Sequence, residues 1–581
     1  MPKRIVVLGG GIGGMTAAHE LASRGFEVDV YEETSDVGGK AKSQFLEGTG
    51  TGGRENLPGE HGFRFFPSFY RHVIDTMQRI PVEKGTVADR LRESQEMGMA
   101  EKSGIFVFDR HPPEDVGEFV KLTNTVDKFF TRTEVSERDM ARFSYFMLRF
   151  LASCDERREA DFEQVSFWDF VEGDSYEPKF QKYIKTPRFM VAMDPRHGSA
   201  RTIGTKACQI LLDFVRNGTR TDAVLDGPTS ERWLRPWRTH LESLGVRFHY
   251  GDAVTELLLD GKRLKGARIG TEVVTGDHYV LALPLDRVQA VISDALAGAD
   301  PDFAGIRRLA NATSWMCGAQ FFLKTDPKIC HGHVAFPDSY WALSSVSQGQ
   351  FWSNEVAARY GDGSVGDILS VDISDWDTVA PRLGKAARDC TYDEILEEVW
   401  MQLTDGLGSR LSRDNLVRAH LDYNVSFDTG RPINRTPLLV HPPGSWWNRP
   451  GAVPDIENVV IASDYVKTNT DLASMEGANE AARRAVNGIL AREDSAAQPC
   501  DVYQMDEDAG PFMDAMKKLD RLRFLAQTPH VFLDPAGAGG GGPRPGPGSN
   551  PPPPSSGGGF FPETFEDIKS IERRVRGLLG F

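Results

Sequence analysis

Three stretches of sequence predict an α/β fold, a Rossmann-like domain interleaved with a second, α+β domain. The first is the opening RIVVLGGGIGGM, a short apolar run that enters a glycine-rich turn. The second is the return of strand-like segments in the middle of the chain, VRFHY, AVTELLL, KGARI and HYVLALP. The third is NVVIASD followed by MEGANEAARRAVNGIL, a strand and then a helix ending near residue 490. Strands alternating with helices favour a parallel sheet covered on both faces.

Residues 4–8 form the first strand. The glycines at Gly9, Gly10, Gly11, Gly13 and Gly14, with Ile12 among them, follow at once. The apolar run is too short for the core of a secretory leader, and the glycines would unmake a leader helix because each loses extra backbone entropy on ordering. They suit a tight turn approached by a ligand. A helix is expected over 14–23, with small residues Thr16, Ala17 and Ala18 where it lies on the sheet and Gly25 as its end. A second strand over 26–32 closes on Glu32 and Glu33.

Gly9, Gly11 and Gly14 thus make G-x-G-x-x-G after a strand and at the start of a helix, with an acidic residue about 20 residues on. The first glycine permits the turn, the second lets backbone approach a pyrophosphate, and the third lets helix and strand pack. Free N–H groups and the helix dipole favour phosphate there. Glu32 can accept hydrogen bonds from ribose hydroxyls and would repel a 2′-phosphate, which disfavours NADP.

The remainder bounds the function. The 581 residues correspond to about three or four domain-sized units. Hydrophobic content of 40% suffices for real cores, and no stretch approaches the roughly 20 apolar residues of a membrane span. A net charge of −16 argues against nucleic-acid binding. Cys154, Cys208, Cys317, Cys330, Cys390 and Cys500 are scattered without CxxC spacing, so no disulfide framework or cysteine zinc site is expected, and a reducing, cytoplasmic setting fits. His331 and His333 lack a third ligand at suitable spacing, and no metal is expected.

Residues 68–215 read as mostly helical, with Phe146, Met147, Phe150 and Leu151 at helical spacing. The segments SWMCGAQFFL and DILSVDIS read as strands, and 392–403 as a helix. The Trp446–Trp447 pair is expected to pack under a proline loop rather than cap a cleft. Past residue 491 the composition changes. The Gly/Pro-rich stretch near 535–559 cannot bury apolar surface and is expected to be disordered. It separates two amphipathic helices, 510–525 (Phe512, Met516 and Leu519 on one face) and 565–581. Lys517, Lys518, Arg521 and Arg523 on the first suit a membrane surface or a helix docked on the body.

These motifs, followed by DVGGKAKS, resemble the opening signature of the FAD-dependent amine oxidase and phytoene desaturase superfamily. The resemblance is nearest to phytoene desaturase-like (hydroxysqualene dehydroxylase-like) flavoproteins. In that family a GG and a basic residue add a second clamp on the diphosphate; Gly38, Gly39 and Lys40 match, with Lys where Arg is usual. GEHGFRFFPSFY resembles the segment beside the isoalloxazine, with Gly62, Phe63 and Arg64 nearest. The middle strands resemble the adenine side, where Val254 would bond adenine through its backbone. NVVIASD and the helix after it resemble the closing flavin motif: Asp464 matches the acidic residue that meets the ribityl–phosphate region, and Met475 and Glu476 match the residues whose backbone lies beside the pyrimidine. A helix N-terminus there stabilises the reduced ring.

The resemblance spans roughly 4–490 and implies non-covalent FAD in a discontinuous domain (1–90, 215–292 and 450–492). A substrate domain of mixed sheet and helices takes 91–214 and 293–449, and 493–581 is a C-terminal extension. It implies an oxidoreductase that passes a hydride from an apolar, isoprenoid-like substrate to flavin N5. A flavin amine oxidase is the alternative and a non-redox isomerase a further one. Against amine oxidation, Ser474 stands where an aromatic residue is common, TSWMCGAQFFL lacks the family's lysine near N5, and no flavin-linking cysteine lies near Met475. No general base stands out. The acceptor stays open among oxygen, a quinone and another protein, and the extension suggests peripheral membrane contact.

Overall fold

The computed structural model describes residues 2–109, 135–213, 222–353, 355–428, 430–504, 510–533 and 573. Arg4–Leu8 is the middle strand of a five-stranded parallel sheet, in the order Val459–Ile461, His278–Leu281, Arg4–Leu8, Glu27–Glu32, Arg247–Tyr250. Leu8 pairs with Leu281 on one side and Tyr31 on the other. Ile5, Val6, Val7 and Leu8 are wholly buried, as a strand covered on both faces requires. Two helices, Ile12–Ala22 and Met475–Arg492, pack against each other beside this sheet. An antiparallel meander, Val254–Asp260, Arg263–Ile269 and Glu272–Val274, adds Leu257, Leu264 and Ala267 to the same core.

The first helix starts at Ile12, two residues before the expected boundary, inside the glycine run. Gly11 caps it in extended conformation, and Met15 N–H donates to the Gly11 carbonyl at 2.9 Å. The loop and the helix N-terminus are therefore one element.

A second, seven-stranded sheet runs Leu416–Leu421, Cys317–Leu323, Asp367–Ile373, Leu343–Ser347, Gly332–Ala335, Glu96–Glu101, Gly104–Asp109. The Tyr392–Leu407 helix covers one face, packing Ile395, Val399 and Trp400 with Phe321, Val371 and Trp376. The last two strands correct the helical expectation for 68–215. EMGMAE is built of helix-forming residues, yet it pairs in parallel with Gly332–Ala335, and tertiary pairing overrides local preference. Helices do follow, including Glu137–Leu151, Pro178–Ile184 and Ala200–Asp213, around an aromatic core with Phe146, Phe150, Phe162 and Trp168.

The Pro511–Leu525 helix is docked. Met516 and Asp520 are fully buried, and Asp520 accepts from Arg157 Nε at 2.9 Å and the Cys154 N–H at 3.0 Å. Leu522 and Leu525 on the same helix are each 67% exposed. The Gly/Pro-rich linker and, apart from residue 573, the expected helix at 565–581 lie outside the described residues. All six cysteines are free thiols. Among the described residues no helix is long and apolar enough to cross a membrane.

Candidate functional site

One cavity of about 950 Å³ runs from the edge of the parallel sheet to the aromatic helices. Gly9, Gly11, Ile12 and Gly13 form its floor. Each glycine has its own reason. Gly9 has φ +109°, and a Cβ there would lie 2.6 Å from the Ala282 carbonyl oxygen. A Cβ on Gly13 would come within 2.0 Å of the Ala462 oxygen, and one on buried Gly14 within 1.9 Å of the Gly9 oxygen. Gly11 is different: a Cβ would meet only Gly39 Cα, at 3.9 Å, and would otherwise project into open space. No protein atom demands glycine at Gly11, so the space above it is what a ligand pyrophosphate would fill. The helix that starts there has no acidic residue in its first turn, which suits an anion.

Gly38 and Gly39 lie across this loop. Gly38 N–H donates to the Gly10 carbonyl at 2.8 Å, and both glycines have positive φ, +112° and +54°. Lys40 lines the cavity and donates from Nζ to the Pro437 carbonyl at 2.5 Å. At one end, Glu32 faces the cavity with Oε2 accepting from Gly10 N–H at 2.8 Å and Oε1 from Thr34 Oγ1 at 2.7 Å. Val254, Asp252 and Glu33 share that wall, with Glu33 in an exposed ion pair to Arg287. These residues would hold the adenosine half of a dinucleotide.

At the other end, Asp464 follows the Val459–Ile461 strand onto the cavity wall. Ser474 caps the closing helix, its Oγ accepting from Gly477 N–H at 3.1 Å, and Met475 presents that helix's first turn to the cavity. The Glu476 side chain goes elsewhere. It is fully buried and accepts from the N–H groups of Arg71, His72 and Val73 at 2.7 to 2.9 Å, capping the His72–Gln78 helix. Its carboxylate is a structural clamp, and Glu476 is not among the residues lining the cavity.

Gly62, Phe63 and Arg64 line the cavity between these ends. Arg64 donates from Nη2 to the Lys40 carbonyl at 2.5 Å and has no carboxylate within ion-pair distance among the described residues. Beyond it the wall becomes apolar: Met97, Phe108, Phe143, Phe180, Met193 and Ile203 enclose a chamber. His333 joins that wall with its ring 5.4 Å from those of Phe63 and Phe65, whereas His331 packs on Phe351. Among the described residues no cluster of three His, Cys, Asp or Glu could hold a metal. Trp446 stacks under Arg201 at 3.7 Å, Trp447 is exposed, and neither lines the cavity.

Two acidic groups near the ring end escaped the sequence reading. Asp422 is buried against His61, which lines the cavity. Burial opposes its charge, but His61 and Gln44 together hold the carboxyl below its usual range. These partners are 361 residues apart, and nothing in the sequence links them. Asp372 also lines the cavity. A signal for it existed: in LSVDIS the polar residues Ser370, Asp372 and Ser374 alternate with the apolar Leu369, Val371 and Ile373. Such a strand has one face in a core and the other toward something polar.

Residues 12–490 match the flavin containing amine oxidoreductase family. The chain is 24% identical to the carotenoid phi-ring synthase of Streptomyces griseus over 84% of its own length and 88% of that protein's. It is 22% identical to the 15-cis-phytoene desaturase of Synechococcus elongatus, over 84% and 96% of the two chains. Among solved structures, cyclohexylamine oxidase from Brevibacterium oxydans superposes with a TM-score of 0.58 over 85% of this chain and all of that one, at 12% identity; this likeness concerns the fold alone. With a glycine cradle, a second glycine clamp and a closing helix at one cavity, and the family match running from Ile12 in the first to residue 490 in the last, the chain belongs to the flavin containing amine oxidoreductase family.

Proposed function

We propose that this flavin oxidoreductase binds FAD non-covalently and desaturates an apolar, isoprenoid-like substrate. The carrying observation is continuity: the nucleotide cradle and an aromatic chamber are parts of one cavity, so a ring placed by Met475 and Arg64 faces the chamber. Gly9, Gly11, Ile12 and Gly13 with Gly38, Gly39 and Lys40 would hold the diphosphate, and Gly14 would keep helix and strand in contact. Glu32, Glu33 and Val254 would hold the adenosine, and Asp464 the ribityl chain. Gly62, Phe63, Arg64 and the backbone at Met475 and Glu476 would surround the ring. The expected division into a nucleotide domain (1–90, 215–292, 450–492) and a substrate domain (91–214, 293–449) is consistent with the two sheets. None of the six cysteines is among the cavity-lining residues, which supports non-covalent binding.

When bound, the flavin supplies hydride acceptance; the protein supplies orientation and a water-poor chamber. The names of the relatives, a carotenoid ring synthase and a phytoene desaturase, agree with an isoprenoid substrate. Amine oxidation is disfavoured by Ser474, which lines the cavity where an aromatic residue would be expected, and by the absence of a lysine from TSWMCGAQFFL. The exposed Leu522 and Leu525, beside exposed Lys518 and Arg521, support peripheral contact with a lipid surface, from which such a substrate would come. The test is anaerobic bleaching of the flavin by a panel of phytoene, hydroxysqualene, polyamines and amino acids. A polyene or prenyl compound is expected to bleach it, and rapid bleaching by an amine alone would overturn the proposal.

A further inference from the structure

Asp372 sits near the end of the Asp367–Ile373 strand, opposite Gly318 on one neighbour and Ser344 on the other. Asp372 and Met316 both line the cavity. The Asp372 carboxyl lies directly over the Gly62 backbone: a Cβ on Gly62 would stand 2.4 Å from Oδ1. Asp372 is only 3% exposed, and Oδ1 has no hydrogen-bond partner. The Phe63 backbone N–H is the hydrogen-bond donor acting on this carboxyl, and a buried carboxyl oxygen left without a donor is costly and calls for an explanation.

The neighbouring acids do not share this condition at the cavity. Asp422 is occupied by His61, by Gln44 Nε2 at 2.5 Å and by Asn424 N–H at 2.9 Å. Glu60 accepts from Ser43 Oγ at 2.7 Å and Thr229 N–H at 3.0 Å, and it does not line the cavity. Asp372 alone of the three combines an unpartnered oxygen with a place on the cavity wall, next to the segment that carries Arg64.

We propose that Asp372 is the base that takes the substrate proton in the desaturation. The inference rests on the desaturase reading above. Two adjacent carbons each lose a hydrogen. One leaves as hydride, with its electron pair, to the oxidised flavin. The neighbouring carbon gives its hydrogen as a proton to the Asp372 carboxylate, and the electron pair of that C–H bond becomes the new π bond. The proton later passes to water, and the two electrons pass to an acceptor such as a quinone or oxygen.

The surroundings poise the group for this. Burial pushes the carboxyl up to about 7, with Arg64 pulling it down and Asp422 adding to the rise. Lys40 and Asp422 are the other charged groups acting on the adjoining Cys317, and His61, Glu60 and Gly62 come from the segment packed beneath. A base is most effective when its pKa lies near the working pH.

The test compares wild-type holoenzyme with Asp372→Asn, which keeps the shape and removes the charge. FAD content and the oxidised spectrum should be unchanged. Anaerobic bleaching by a polyene that bleaches the wild type should slow by about 10²–10⁴-fold, the range for loss of a general base. The wild-type rate should rise with pH through about 7, and the variant's profile should lack that rise. A readout independent of turnover is heat stability. A carboxyl whose folded pKa is raised binds its proton more tightly folded than unfolded, so stability falls as pH rises toward 7. The variant should therefore gain in Tm over the wild type between pH 5 and pH 8.

A variant that bleaches within about threefold of the wild type overturns the proposal and leaves the desaturase reading standing. A wild type that no polyene bleaches removes both. If the variant fails to hold FAD, the wild-type pH profile decides alone: no rise near neutrality overturns the proposal.

Discussion

Replacing Gly11 by alanine separates the ligand's requirements from the protein's. At Gly11 the backbone φ is −74°, which alanine adopts freely, and the added Cβ meets nothing closer than Gly39 Cα at 3.9 Å. The apoprotein should lose at most about 1 kcal/mol, from a poorer N-cap. The same methyl stands where a diphosphate would accept backbone N–H bonds. Displacing it would break about two charge-assisted hydrogen bonds of about 1.5–3 kcal/mol each, about 3–6 kcal/mol in all. At 1.4 kcal/mol per tenfold, FAD affinity should fall by about 10²–10⁴-fold. Titration of apoprotein with FAD, followed by quenching of flavin fluorescence, reads this directly. Gly13→Ala is the control, because its Cβ would sit 2.0 Å from the Ala462 oxygen and must damage the fold itself. If Gly11→Ala binds FAD within about threefold of the wild type, or lowers the apoprotein Tm as much as Gly13→Ala does, the placement of the diphosphate is wrong.

Other expectations follow from the same contacts. Asp471 is buried between Arg201 Nη1 at 2.9 Å and Arg449 Nη1 at 2.5 Å, so Asp471→Ala should cost about 3–5 kcal/mol by leaving buried Arg449 without a carboxylate and Arg201 with Glu163 alone, read as a large fall in Tm. Burial opposes its charge, but Arg201 and Arg449 hold the Asp471 carboxyl well below its usual range. Its contribution is thus complete above about pH 4 and should be lost on acidification below that, in a Tm-against-pH series compared with the variant. Glu476→Gln should lower stability by about 1.5–3 kcal/mol in chemical denaturation, since a charged acceptor of three backbone N–H groups becomes neutral. Ala207→Trp should fill the chamber it lines and abolish bleaching by a polyene while leaving FAD content unchanged; retained bleaching would place the substrate elsewhere.

The nucleotide half was legible because its information is local. A strand, a glycine turn, a helix and a second strand ending on Glu32 lie within 32 residues, and Gly9, Gly13 and Gly14 answer to contacts made inside that unit or at the strand ends beside it, while Gly11 leaves open space. The strands Glu96–Glu101 and Gly104–Asp109 were not legible. Met97 pairs with His333, far along the chain, and no local pattern in EMGMAE reports such a partner. The side chain of Glu476 shows a further limit. The motif predicts its backbone beside the ring, and nothing in the motif predicts that its carboxylate caps a helix that begins at His72. Asp372 stood in plain view as the middle of three alternating polar residues, but alternation alone does not say whether the polar face meets solvent or a cavity.

The measurement closest to the central claim is the absorption spectrum of the oxidised flavin during titration with squalane, a saturated branched hydrocarbon. If the ring sits at the mouth of the chamber walled by Phe143, Phe180 and Ile203, filling that chamber removes water from one side of the ring, and the flavin band should shift and saturate. A spectrum indifferent to squalane but shifted by putrescine would contradict the account.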